Sequence, residues 1–537
     1  MNTAMQTTHK VAALYIEKLR DMNYVDTSEL PSKMMDEFNL KPQLAIDFIL
    51  ALETLDDSID HINTKILLRL IDETFAQIRY SMDRKDKKAV SLITQAQEAL
   101  NTVCPKLGNN IRVGLNQTLY DSKLPLEIHS VDPCNINQKR SQPIDIMPKL
   151  PELLESLRRQ KVYKTVFELY EMVVPQFQAF SDENQLALIA EMGCSKKPIA
   201  HELSVLMLLH PKASVRRVVA KVLLQLADTK HFTPIDVRRL ITLRNWVPVD
   251  ERSEIDAIVS HLRRNGVSPA PYPSTKISKI VGSSTDGAGV LCVFIEAKKN
   301  NQRQIAGFLL KINVGIRDTS MVHKAPKQYL DDMINEQAKN NLPMKPVSKT
   351  YVNKIVRHFL SETIENGNVP DATFIEIAEL VGADNWQPQA LSWEAEVDRL
   401  REIYQDQLSD VSIQRSLQRS GDWHMREDIA HSWFDTGELA EQVVIEAANQ
   451  HESNPSASLE DITTRLLMKD RLDKWKWVLL FTCLWMRSQQ VHELTADLLV
   501  VLHCLDKQID VAKIPLLENI AAQTAANVCR REMLLLL

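Results

Sequence analysis

Between Ile277 and Asp318 the chain breaks the pattern that governs the rest of it. Elsewhere apolar residues recur three and four positions apart, the spacing of one helix face. Here they come in short runs of β-formers. Ile277-Ser278-Lys279-Ile280-Val281 leads into the turn Gly282-Ser283-Ser284-Thr285-Asp286-Gly287-Ala288-Gly289. Val290 to Ile295 follows, then a second turn at Lys298-Lys299-Asn300-Asn301-Gln302, then a third run from Ile305 to Val314. Apolar, β-branched runs bounded by Gly, Asn, Asp and Ser clusters predict a small antiparallel meander. Five of the thirteen glycines (282, 287, 289, 307 and 315) fall here. So little glycine elsewhere leaves few positions for positive φ, which favours helices joined by Pro- and Asn-containing connections. The expected fold class is therefore mainly α, with one small antiparallel β-meander inserted.

A chain of 537 residues exceeds what one core holds, so several domains are expected. Residues 1–103 read as an N-terminal helical bundle. Residues 104–148 carry prolines at 105, 125, 133, 143 and 148 and read as a Pro-rich linker held away from long helix. Residues 149–268 read as a helical array, 269–322 as the meander and 323–537 as a C-terminal helical domain. In the last of these, separate helices are expected over 425–434, 459–467 and 470–488. The segment Trp475 to Trp485, with Leu498 to Leu505 and Leu534 to Leu537, is apolar on nearly every side of its helices. Such helices are buried centrally or form an interface, here an internal core or a homodimer patch.

One segment carries a resemblance. Lys197 to Leu209 reads as a helix, His210-Pro211-Lys212-Ala213-Ser214 as a turn, and Val215-Arg216-Arg217-Val218-Val219-Ala220 opens a second helix running to Ala227. This resembles a HEAT-type repeat, a family with Pro in the inter-helix turn, Val-Arg opening the second helix and a small residue, here Ala220, where helices approach. The acidic residue that usually precedes Val-Arg is absent. The resemblance covers about 30 residues and implies a short helical solenoid, a fold that holds macromolecules by area rather than by chemistry.

Charge is unevenly spread. From Lys196 to Lys327 there are 22 Lys and Arg against 10 Asp and Glu, and from Asp371 to Arg465 there are 6 against 20. Such asymmetry suits a polyanion-binding face or an internal docking of basic on acidic regions. The basic residues singled out as partner-binding candidates are Arg216, Arg217, Lys221, Arg238, Arg239, Arg244, Lys298, Lys299 and Arg303. Together with the meander they are expected to face outward. Few aromatics lie among them, which weakens a base-stacking role.

Chemistry-bearing motifs are sparse. The Gly282–Gly289 turn lacks the Lys of a phosphate-binding loop and precedes a strand rather than a helix. His492 and His503 have no third ligand partner in the pattern, and His358 with Glu362 is a bare i, i+4 pair. No Gly-x-Ser-x-Gly elbow occurs. No cofactor is expected, and the balance favours a non-enzyme. The seven scattered cysteines, the polar residues 1–8 and the lack of an apolar run near ~20 residues point to a reducing, cytoplasmic setting without membrane insertion. The expected function is a scaffold or adaptor with a protein partner, with nucleic-acid binding through 196–327 as the alternative and an enzyme with a dispersed site as a second one. The segments Asn245-Trp246-Val247-Pro248 and Asn385-Trp386-Gln387-Pro388 echo each other, as a repeated surface element or as two helix stops.

Overall fold

The structure is a computed structural model that describes residues 2–21, 30–57, 60–128, 150–177, 180, 182–228, 232–339, 341–383, 385–426, 429 and 431–536. These fold mainly as α-helix, with one five-stranded antiparallel sheet. The chain divides into two compact units, Met1–Leu203 and Ser204–Leu536.

The first unit is helical: α1 (Asn2–Asp21), α2 (Ser32–Leu40), α3 (Leu44–Ala51), α4 (His61–Asp83), α5 (Lys87–Val103), α6 (Asn109–Ser122), α7 (Leu150–Arg159), α8 (Val166–Phe177), α9 (Asp182–Cys194) and the start of α10 (Pro198–Leu206). Its core is built by periodicity. Ile66, Leu67, Leu70, Ile71, Phe75 and Ile78 bury one face of α4. Tyr15 packs edge-on against Phe48 at 5.4 Å between ring centroids, and Phe38 against Phe48 at 6.0 Å. The expected linker is helical in part. Residues 109–122 contain no proline and form α6, while Pro105 and Pro125 lie outside its ends. Residues 129–148 of that linker, with Pro133, Pro143, Pro148 and Cys134, lie outside the described residues.

The second unit begins with α11 (Ala213–Gln225), α12 (Pro234–Trp246) and α13 (Arg252–Arg264). The start of α12 is set locally. Thr233 accepts from the Asp236 amide, Asp236 accepts from the Thr233 amide, and Pro234 occupies the first turn. The sheet follows, with β1 (Lys276–Ser283), β2 (Val290–Lys299), β3 (Gln302–Lys311), β4 (Gly315–His323) and, beyond α14 (Tyr329–Lys339), β5 (Met344–Pro346). The strand order is β4-β3-β2-β1-β5. Lys299 pairs with Gln302, so Asn300 and Asn301 form a two-residue hairpin turn with φ of 52° and 60°.

The meander does not face outward as expected. Leu291 to Ile295 are buried without alternation, so β2 is covered on both faces. Cys292, Phe294 and Ile305 pack with Leu330 of α14 on one face. Phe308 meets Phe374 and Trp386 on the other. That second layer is α15 (Lys349–Glu365) and α16 (Ala372–Val381). Gly307 is needed opposite Phe294: a Cβ there would sit 3.0 Å from two ring carbons.

The chain ends in α17 (Trp393–Ile403), α18 (Asp410–Ser420), α19 (Glu438–Ser453), α20 (Leu459–Ser488), α21 (His492–Asp506) and α22 (Pro515–Leu536). The two helices expected over 459–488 are one 30-residue helix, capped at Ser458 and with no proline or glycine to break it. The helix expected over 425–434 does not form among its described residues. That segment instead carries Trp433 into the core. Val478 to Met486 are all buried. Among the described residues no helix is long and apolar enough to cross a membrane.

Candidate functional site

The basic residues of 216–303 fall into two groups. The first is engaged internally. Arg216 is buried and forms a two-pronged pair with Glu251, both contacts at 2.7 Å, while its third nitrogen donates to the carbonyls of His210 and Pro211. Arg238 and Arg239 converge on Glu379 of α16 at 2.7 and 2.9 Å. Burial alone would push the Glu379 carboxyl up, but the two guanidiniums overcome it and hold it below the usual carboxylate range. Arg238 also donates to the Pro271 carbonyl at 2.6 Å and lies over the Tyr272 ring. The second group is at the surface. Arg217 pairs with Asp250 and Arg244 with Asp256, in each case with both side chains exposed. Lys221 and Lys298 are exposed, and Lys299 and Arg303 are half-buried. Arg303 donates to the Lys327 carbonyl at 2.8 Å.

The Gly282–Gly289 turn is pinned from α20 and from the non-helical segment before α19. Trp485 donates to the Gly282 carbonyl at 2.8 Å and Trp433 to that of Thr285 at 2.9 Å. Lys474 donates to the Gly287 carbonyl and to Asp435 Oδ1, and Trp475 donates to Asp435 Oδ2. Burial pulls the Lys474 ammonium down from its usual range, against the opposing pull of Asp435. Gly287 permits the approach: a Cβ there would lie 1.8 Å from the Ser432 carbonyl oxygen.

The two Asn-Trp-x-Pro segments meet. Trp246 and Trp386 are both buried, both pack on Phe374, and Trp246 donates to the Trp386 carbonyl at 2.8 Å. Trp386 in turn donates to Asn353 Oδ1 on α15 at 2.9 Å. They form an internal joint over the sheet rather than a surface element.

Beside that joint lies a cleft of about 380 Å³, lined by Thr350, Asn353, Lys354, Arg357, Asn385, Gln389 and Leu391. The first four are spaced i, i+3, i+4 and i+7, one stripe of α15. The helix starts there because Ser348 caps it, accepting from the Tyr351 amide at 3.1 Å. The opposite stripe, with Tyr351, Ile355 and Phe359, is buried. The remaining wall comes from the irregular return after α16. Gly382, at φ +64°, ends that helix. The return is tied to α15 by the Gln389 amide donating to the Arg357 carbonyl and the Leu391 amide to His358 Nδ1.

Among the described lining residues the charged ones, Lys354 and Arg357, are both positive. Lys354 pairs with Glu396 of α17, and Arg399 lies 3.9 Å from the same carboxylate. Burial lowers the Lys354 ammonium, and Arg399 and Arg487 add to that shift. Arg357 spends Nε on the Gln387 carbonyl at 3.4 Å, and among the described residues its two terminal nitrogens have no protein partner. Behind the cleft, His358 is stacked on Trp477, and its Nε2 lies 3.6 Å from Glu362. Burial lowers the His358 imidazole to about 4 and raises the Glu362 carboxyl to about 7. Of the residues lining this cleft, only Asn385 stands out in the sequence, through the Asn-Trp-x-Pro echo. The available signal was the polar stripe 350, 353, 354 and 357 with Lys and Arg but no acid, facing a buried apolar stripe.

Known proteins match in three stretches. Residues 181–266 match a family model described as the Y4lR second domain, and 394–529 one described as the Y4lR C-terminal helical domain. Residues 273–389, which hold the sheet and most of the cleft, match a domain of unknown function (DUF7401). A protein of Sinorhizobium fredii (strain NBRC 101917 / NGR234), "Uncharacterized protein y4lR", is 23% identical over 322 residues. The match spans 58% of this chain and 59% of that relative. No solved structure matches.

Proposed function

We propose that this protein is a non-catalytic scaffold or adaptor that holds a protein partner on its helical surface in the cytoplasm, with the helix pairs around 197–227 serving as a HEAT-like array. The observation that supports it is where the ionisable groups go. Arg216, Arg238, Arg239, Lys474 and Asp435 are spent tying helices and the sheet together, so they serve rigidity rather than turnover. A rigid helical body presenting a broad surface suits recognition by area. The test is reconstitution. Cross-linking identifies a contacting protein, and the purified pair is then titrated with the wild-type chain and with Lys221→Glu and Lys298→Glu. Direct binding supports the proposal; a cross-linked partner that does not bind once purified overturns it. A second copy of the chain is the other protein partner, read by sedimentation velocity.

The exposed Lys221 and Lys298 favour one rival, nucleic-acid binding through 196–327. Fluorescence anisotropy with duplex and single-stranded oligonucleotides at two salt levels decides it. Binding that falls steeply with salt supports the rival, and no binding at low salt removes it.

A further inference from the structure

We propose that the cleft on α15 binds a small molecule through a phosphate or carboxylate group, with Arg357 as the anchor and Asn353, Asn385 and Gln389 reading the rest of the ligand.

The argument starts from the unused donors. A guanidinium presents five N–H groups in a planar fork that fits an oxyanion two-pronged. Arg357 uses Nε within the chain and, among the described residues, leaves both terminal nitrogens without a partner. It also lines a concavity, where an oxyanion would be held with less competition from water. The local field favours an anion. Glu396 is the carboxylate in contact with Lys354, and both Lys354 and Arg399 already face it. Among the described residues, that leaves Arg357 without a carboxylate partner.

The amides supply selectivity. Asn353 commits its Oδ1 to the Trp386 indole, which fixes the amide orientation and leaves its NH2 as a donor. Asn385 and Gln389 are exposed, and each can both donate and accept. Such groups suit the hydroxyls or ring nitrogens of a sugar phosphate, a mononucleotide or a small polycarboxylic acid. The volume, about 380 Å³, fits ligands of that size. The two Trp-containing segments then gain a role: the joint they form holds the Asn385–Leu391 wall against α15. This site stands independently of the scaffold reading, which concerns the outer helical surface.

The experiment is isothermal titration calorimetry on the full chain. Inorganic phosphate, ribose 5-phosphate and AMP form one arm, succinate and citrate the other, with ribose and adenosine as neutral controls. We expect at least one anion to bind with a Kd below about 1 mM, and the tighter arm to identify the oxyanion. Arg357→Gln should weaken it about tenfold or more. Asn385→Asp, an exposed change that adds a negative charge at the cleft, should weaken it by a similar factor and keeps the test alive if Arg357→Gln does not fold. Arg158→Gln, exposed in the first unit, should change nothing. The proposal falls if no anion binds at up to about 10 mM. It also falls if the neutral controls bind as tightly as the anions, or if neither folded cleft variant weakens binding.

Discussion

The first and second units solve the same packing problem with different materials. Within Met1–Leu203 the buried apolar residues from Ala12 to Leu126 form one cluster, in which α4 and its neighbours interdigitate by helical spacing. In Ser204–Leu536 the core is crossed by charge. Arg216 meets Glu251, two arginines meet Glu379 and Lys474 meets Asp435. Apolar packing is non-directional and tolerates approximate partners. A buried ion pair is directional: it is costly to leave half-made, so it ties a given helix to a given neighbour. The contrast teaches that the sheet-bearing unit depends on specific long-range partners where the bundle depends on pattern.

All eight tryptophans lie between 246 and 485, so indole fluorescence reads the second unit alone, while far-UV circular dichroism reads both. Glu379→Ala should give the largest effect. It leaves two buried guanidiniums uncompensated and should cost about 3–5 kcal/mol in urea unfolding followed by fluorescence. A loss below about 1 kcal/mol would break the comparison. Leu70→Ala, in the apolar core of α4, should cost about 2–5 kcal/mol by circular dichroism and show no dependence on salt. A salt-dependent loss there would blur the two units into one kind.

The His358–Glu362 pair sharpens the comparison through pH. Glu362 holds its proton in the folded state up to about 7, so its contribution is present at low pH and is lost as pH rises from the ordinary Glu range to about 7. His358 stays neutral in the folded state down to about 4, so its contribution is present above the ordinary His range and is lost as pH falls toward 4. The two slopes oppose across the overlap, and the wild type should be nearly flat there. Glu362→Gln should expose a stability that rises with pH, and His358→Gln one that falls, each by about 1–3 kcal/mol. Parallel slopes in the two variants would dismiss the opposed contributions of the two groups. The smallest effect is expected at Arg217→Ala, about 0.5 kcal/mol or less, because its pair with Asp250 is solvated on both sides.

Much of the fold was legible because it is written in local pattern. The turn chemistry at Asn300-Asn301 and the β-branched runs around it announced the meander, and β1, β2 and β3 lie close to the three runs, while β4 follows the third run without a run of its own in the expectation. The short strand β5 was missed because three residues carry too little pattern to stand out. The outward orientation expected of the sheet was wrong for a definite reason. Leu291 to Ile295 form an unbroken apolar run, the mark of a strand buried on both faces, and that mark was outweighed by the lysines at the hairpin tip. The cleft was not legible, because its two walls come from residues 350–357 and 385–391, which only the fold brings together.

What the sequence determined by itself is therefore the alphabet of elements: helices from three-and-four spacing, caps from Ser, Thr and Asp, and a meander from its turns. What only the tertiary structure decided is which charge meets which. Arg238 and Arg239 look alike in sequence to Arg217 and Arg244, yet the first two are buried on Glu379, some 140 positions away, and the others lie in solvent. The physical reason is that burial sets the electrostatic role of a charge, and burial is a property of packed layers rather than of neighbours along the chain.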